Sequence, residues 1–227
     1  MPKKPEVQRI AEIADPKKFL SGCGRAVCAA VGGLGNSFDH YVDLANNRKC
    51  YVLNGPGSTG AEADQRTYET IPFFASKTER FWLSALIEIE FQNRVSRLTN
   101  IGLVLFRGDA GDSRKTPLLR AEWDIPNIIE GAEKHAQPHW HIYQSSIDLE
   151  EFNLEDDFGK ASFILNGIQN QYDANWNEAK KFHFAMASRW LEASRPSHQE
   201  TVEIDAIPKW MERCLAYIRD QLKYLYR

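Results

Sequence analysis

Along the middle of the chain, apolar and polar residues alternate with a period of two. Trp82-Leu-Ser-Ala-Leu-Ile-Glu-Ile-Glu-Phe91 contains the run Ile87-Glu88-Ile89-Glu90-Phe91, and Asn100-Ile-Gly-Leu-Val-Leu-Phe-Arg107 is an apolar run closed by the turn residues Gly108-Asp-Ala-Gly-Asp. Leu118 to Trp123 and Pro138 to Tyr143 continue the pattern. Successive side chains of a strand point to opposite faces, so this spacing predicts four strands with short links, an antiparallel meander. The link from Ile125 to Ala136 is longer and has room for a helical turn.

The two ends of the chain carry a helical period instead. Val7, Ile10, Ile13 and Ala14 predict a helix over 6–20 that Asp15-Pro16 interrupts. Asn36 or Ser37 is placed to cap a helix starting near His40. Ala174 to Ala193 is a further candidate helix, closed by Arg195-Pro196. Ile207 to Tyr226 is another, with Pro208 suited to its first turn. Its stripe of Met211, Leu215, Ile218, Leu222 and Leu225 reads as core packing rather than a partner groove.

Taken together, the patterns predict an α+β fold, an antiparallel sheet of about four or more strands packed against N- and C-terminal helices. The expected organisation is a single domain over 1–227: a helical N-terminal portion (1–53), the sheet (70–147) and C-terminal helices (172–227). The Gly/Pro/Ser-rich stretch 54–65 reads as a loop separating the first two parts. Gly22, Gly24, Gly32, Gly33 and Gly35 fit neither a dinucleotide nor a P-loop pattern, so they read as helix ends and close packing.

Composition narrows the function classes. With 43% hydrophobic and 11% aromatic residues among 227, the chain can bury enough surface to offset its chain entropy, which excludes a disordered protein. Its 28 basic and 31 acidic residues give a net charge of −3, which excludes nucleic-acid binding through bulk positive charge and leaves room for a local patch. Four cysteines without C-x-x-C spacing make no disulfide framework. Met-Pro-Lys-Lys-Pro-Glu has no apolar segment after its charges, and no apolar run reaches the roughly 18–20 residues of a membrane span. The expectation is a cytoplasmic protein with reduced thiols and no membrane partner.

Candidate chemistry lies on two of the strands. In Leu118-Leu-Arg-Ala-Glu-Trp-Asp124, the residues Arg120, Glu122 and Asp124 share one face, and in Pro138-His-Trp-His-Ile-Tyr143 so do His139 and His141. If these strands are neighbours, two carboxylates, an arginine and two imidazoles converge. Histidines two apart on a strand can ligate one divalent ion (Zn, Mn or Mg), with Glu122 and Asp124 completing the set. Arg120 could bind an anion bidentately, and His135, which leads into the second strand, is the other candidate catalytic group. The competing reading is a polar strand face stabilised by cross-strand pairs, with Trp123 and Trp140 packing the core behind it. Glu88 and Glu90 read as a solvated strand face. His183 is a further histidine, expected to pack among aromatics on its helix, and His198 lies in a loop.

The stretch Leu119-Arg-Ala-Glu-Trp-Asp124 with His135-Ala-Gln-Pro-His139-Trp-His141-Ile resembles a signature of uncharacterised bacterial proteins, in which an Arg-x-Asp-x-Asp strand precedes a His-x-His strand. Glu122 stands where that signature has Asp. The resemblance implies a bacterial, cytoplasmic context in phage- or plasmid-defence gene clusters, and action on foreign nucleic acid. The leading expectation is therefore an antiviral defence component acting on nucleic acid or a nucleotide phosphate, with a metal-dependent nuclease or phosphodiesterase as the candidate enzyme. The alternative is a non-catalytic accessory subunit of a multiprotein complex, with protein partners from the same operon such as an SMC-type ATPase and a nuclease. A small-molecule-binding protein anchored on the same polar patch is a third.

Overall fold

The computed structural model describes residues 12–33, 35–63, 66–124, 139–142 and 204–226. Two thirteen-residue strands, β6 (Arg80–Gln92) and β7 (Val95–Arg107), form the spine of a nine-stranded antiparallel sheet. A two-residue turn, Asn93-Arg94, joins them, with φ of 51° and 65°. Positive φ at both central residues matches the right-handed twist of the strands.

Each spine strand shares its outer edge between two shorter strands. β3 (Arg48–Asn54) pairs with the second half of β6, and β5 (Arg66–Ala75) pairs with the first half. On β7, the two-residue β1 (Glu12–Ile13) lies beside Ser96 and Arg97, and β8 (Thr116–Asp124) follows from Asn100 to Arg107. Beyond these, β2 (Ser37–Leu44) extends β3, β4 (Thr59–Ala63) pairs with β5, and β9 (His139–Ile142) extends β8. The predicted meander is present as β6-β7-β8-β9.

Two helices cover one face of the sheet. Helix α1 (Pro16–Val31) is capped at its start by Asp15, whose carboxylate accepts from the Lys18 amide at 3.0 Å. Pro16 thus opens this helix instead of ending one, because a first-turn amide needs no helical partner. The helix closes at Gly32, where φ is 78° and the amide donates to the Cys28 carbonyl. Helix α2 (Ile207–Leu225), entered through a 3-10 turn at Ile204–Ala206, packs against α1. The Arg219 guanidinium donates to the Ala30 carbonyl near the end of α1, tying the two helices together.

The α+β prediction holds, but the N-terminal portion is not helical throughout. Residues 37–44 and 48–54 are strands, and His40 sits in β2 opposite Val52. Phe38, Tyr41 and Val42 favour a strand. The Ser37 hydroxyl caps no helix and donates to the Asp39 carboxylate at 2.6 Å. The predicted loop 54–65 is not loop throughout: Asn54 ends β3 and Thr59–Ala63 is itself a strand. Residues 6–11 of the first predicted helix, the Ile125–Ala136 link, the Ala174–Ala193 helix, His183 and His198 lie outside the described residues.

The core fills the space between the sheet and the helices. Phe81, Leu83, Ala85, Ile87 and Ile89 of β6 face it with Ile101, Leu103 and Leu105 of β7 and Leu119, Ala121 and Trp123 of β8. From α2 come Trp210, Met211, Cys214, Leu215, Ile218 and Leu222, all at most 1% exposed. Trp123 and Trp210 meet edge to face, with centroids 5.4 Å apart and planes at 75°. Trp140 packs against the same core. The α2 stripe is thus core, as its spacing predicts.

Burying Lys115, at 2% exposure, requires local compensation. Its ammonium donates to the Gly60 carbonyl at 2.9 Å and the Asp112 carbonyl at 2.6 Å, and lies 4.9 Å from the Trp82 ring centre. The β7–β8 turn is thereby fastened to β4.

Leu215→Ala should test the packing of α2 on the sheet. Deleting this fully buried side chain is expected to cost about 3 kcal/mol and to lower Tm by roughly 6–12 °C. A loss below about 0.5 kcal/mol in chemical denaturation would contradict this core.

Candidate site on the face away from the helices

The period of two that buries Ile87, Ile101 and Trp123 sends the alternate positions of the same strands to the opposite, distal face. The register arranges these positions in three rows. One runs Cys50, Glu88, Asn100, Asp124 across β3, β6, β7 and β8. The next runs Val52, Leu86, Gly102, Glu122, His139. The third runs Ser84, Val104, Arg120, His141. The strands carrying Arg120–Asp124 and His139–His141 are therefore direct neighbours, with His139 opposite Glu122 and His141 opposite Arg120.

Glu122 is the hub of the described side chains. Its Oε2 lies 2.9 Å from Nη2 of Arg120, and its Oε1 accepts from Nδ2 of Asn100 at 3.0 Å. The Glu122 side chain is 14% exposed and that of Arg120 28%. An ion pair this sheltered is screened less than a surface pair. Nε of Arg120 and Oδ1 of Asn100 are both buried and lack a hydrogen-bond partner. Gly102, between Leu86 and Glu122, adds no side chain there; a Cβ on it would come within 3.4 Å of Leu86.

Farther along the same face, Arg48 reaches Glu88 at 3.5 Å and Arg97 reaches Glu90 at 4.0 Å. Glu88 and Glu90 are thus half-buried and ion-paired, not merely solvated. Burial pushes the Cys50 thiol up to about 11, and the Glu88 carboxylate beside it adds to that shift.

Of the sequence candidates, the backbone brings Arg120, Glu122, Asp124, His139 and His141 to one face of two paired strands. His135 lies outside the described residues. Among the described residues, no group of three His, Cys, Asp or Glu side chains is arranged to hold a metal ion. One Glu122 oxygen accepts the Asn100 amide and the other meets the Arg120 guanidinium, so both are engaged within the sheet face. The residue that sequence reading missed is Asn100. It opens an apolar run, and only the register shows that this amide lies beside Glu122.

No protein-family model, curated protein or solved structure matches the chain. Among the described residues, no helix is long and apolar enough to cross a membrane.

The raised Cys50 pKa sets a pH dependence. A thiol held protonated in the fold stabilises it fully below the ordinary thiol value of 9.0, and that contribution is lost as pH rises through about 11. At pH 8 its thiolate is scarcer than in free cysteine by about a hundredfold, so iodoacetamide should label Cys50 about a hundredfold more slowly. Labelling at the free-cysteine rate, read by mass spectrometry, would contradict the burial described.

Proposed function

We propose that the distal face binds a phosphate-bearing ligand, a nucleotide or nucleic-acid phosphodiester, and acts on it as a metal-dependent phosphodiesterase. The observation that carries this reading is the pairing of the Arg120–Glu122 strand with the His139–His141 strand in a register that gathers cationic, acidic and imidazole residues. Arg120 is the anion-binding group, since its guanidinium side chain stays 28% exposed while Glu122 orients it. Asp124, His139 and His141 are the candidate ligands for Zn, Mn or Mg, beside a Glu122 that Asn100 and Arg120 already hold. Mixed imidazole and carboxylate donors suit Zn or Mn. A bound divalent ion would lower the pKa of its water and polarise a phosphoryl oxygen. His135 is the candidate proton carrier on the approach to β9.

The setting proposed, from the resemblance of this stretch to defence-associated bacterial proteins, is a cytoplasmic antiviral system acting on foreign nucleic acid. A second reading, an accessory subunit of a multiprotein defence complex, is favoured by one observation. Tyr41 and Val42 are 46% and 59% exposed on β2, which ends the strand order among the described residues and leaves an edge open to pairing. The apolar stripe of α2 lends that reading nothing, being consumed by the core.

The test uses the whole chain with Mn²⁺ and bis(p-nitrophenyl) phosphate, a generic phosphodiester. The expected result is metal-dependent hydrolysis that His139→Ala/His141→Ala lowers by at least about a hundredfold while metal content falls. A folded double variant with unchanged hydrolysis and metal content would falsify the reading.

A further inference from the structure

We infer that Asn100 is a positioning residue for Arg120, acting through Glu122 to hold the guanidinium ready for an anionic ligand. The inference rests on the reading of Arg120 as the anion-binding group. It concerns a residue on a different strand, β7, that no motif singles out.

The geometry is a three-member chain: Asn100 Nδ2 to Glu122 Oε1 at 3.0 Å, then Glu122 Oε2 to Arg120 Nη2 at 2.9 Å. The terminal torsion of a glutamate is broad and soft, so a carboxylate held at one oxygen leaves its partner free to swing. Held at both oxygens by donors from two neighbouring strands, the carboxylate plane is fixed, and with it the direction from which Arg120 is gripped. Glu122 sits diagonal to Asn100 across the β7–β8 ladder, since Asn100 stands opposite Asp124 and Gly102 opposite Glu122. Side chains on that diagonal are within reach of one another.

Two features separate this role from ordinary strand packing. First, Asn100 leaves its Oδ1 buried without a partner. Turning the amide over would place Oδ1 against Glu122 Oε1, acceptor against acceptor, so the contact with Glu122 dictates the orientation at the expense of the other end. A residue kept only for packing, two positions from the buried Gly102 and four from the buried Val104, would be better apolar. Second, the chain ends on a guanidinium whose side chain is still 28% exposed. Arginine carries five N–H donors. Glu122 takes up Nη2, so the fork stays oriented while a donor remains for a phosphoryl oxygen.

The experiment follows KM and kcat for bis(p-nitrophenyl) phosphate with Mn²⁺ in the full chain. Arg120→Ala is expected to raise KM steeply. Asn100→Ala should raise KM about tenfold, the size of one lost hydrogen bond to a charged group, with kcat within about twofold. In a Glu122→Ala background the same Asn100→Ala change should have no further effect, because its route to Arg120 is gone. Asn100→Asp, nearly isosteric, guards against misfolding of the alanine variant. It replaces the amide donor by an acceptor facing the Glu122 carboxylate, so it should raise KM at least as much as the alanine variant.

If Arg120→Ala leaves KM unchanged, or the wild type does not turn over the probe, the phosphodiester reading itself is lost. If Arg120→Ala raises KM but Asn100→Ala does not, or its effect adds fully to that of Glu122→Ala, the anion site stands and the positioning role is overturned.

Discussion

The structure depends on one backbone constraint: two paired thirteen-residue strands whose side chains alternate between a helix-covered face and a face carrying charge. β6 and β7 each bury one set of residues, Leu83, Ala85 and Ile87 against Ile101, Leu103 and Leu105. That burial locks the register, because a slip of one residue would turn every core side chain outward. Once the register is locked, the other set has no freedom of placement. Glu88, Asn100 and Asp124 must form a row, and Glu122 must lie diagonal to Asn100.

This coupling explains how a polar cluster is held on a sheet without a dedicated loop. The energy that places Glu122 comes from Trp123 and Ala121 on either side of it, which are buried against α2 and the sheet core. The Trp123–Trp210 contact is therefore part of the support of the distal face, though it touches none of its polar atoms. The ion pair and amide contact at Glu122 then need only choose rotamers. Residual frustration, the orphaned Asn100 Oδ1 and Arg120 Nε, concentrates where the proposed ligand would be received.

Much of the central sheet was legible in the sequence because its strands are half apolar. Ile87-Glu88-Ile89-Glu90 and Arg120-Ala-Glu-Trp-Asp124 each announce both a strand and its faces. Helix α2 was legible from five apolar residues at helical spacing. The β2–β3 hairpin was not, since β2 and β3 carry few fully buried side chains, Phe38 and Leu53 among them. Its signal was the turn: Asn46-Asn47, with φ of 61° and 56°, is a pair that accepts the left-handed region. Helix α1 starts where the apolar spacing predicts a break, because Asp15-Pro16 reads equally as a stop and as a cap with a first-turn proline. For the site, same-face spacing identified Arg120 and Glu122. Asn100 stayed hidden because a single sequence carries no information on which residues of separate strands stand side by side.

The site exists only if β8 and β9 pair with Arg120 opposite His141 and Glu122 opposite His139. Inter-strand nuclear Overhauser contacts between backbone protons measure that register directly. Cross-peaks linking Arg120 with His141 and Glu122 with His139 are expected. Cross-peaks displaced by one residue, Arg120 facing Trp140, would put the imidazoles on the helix-covered face and contradict it.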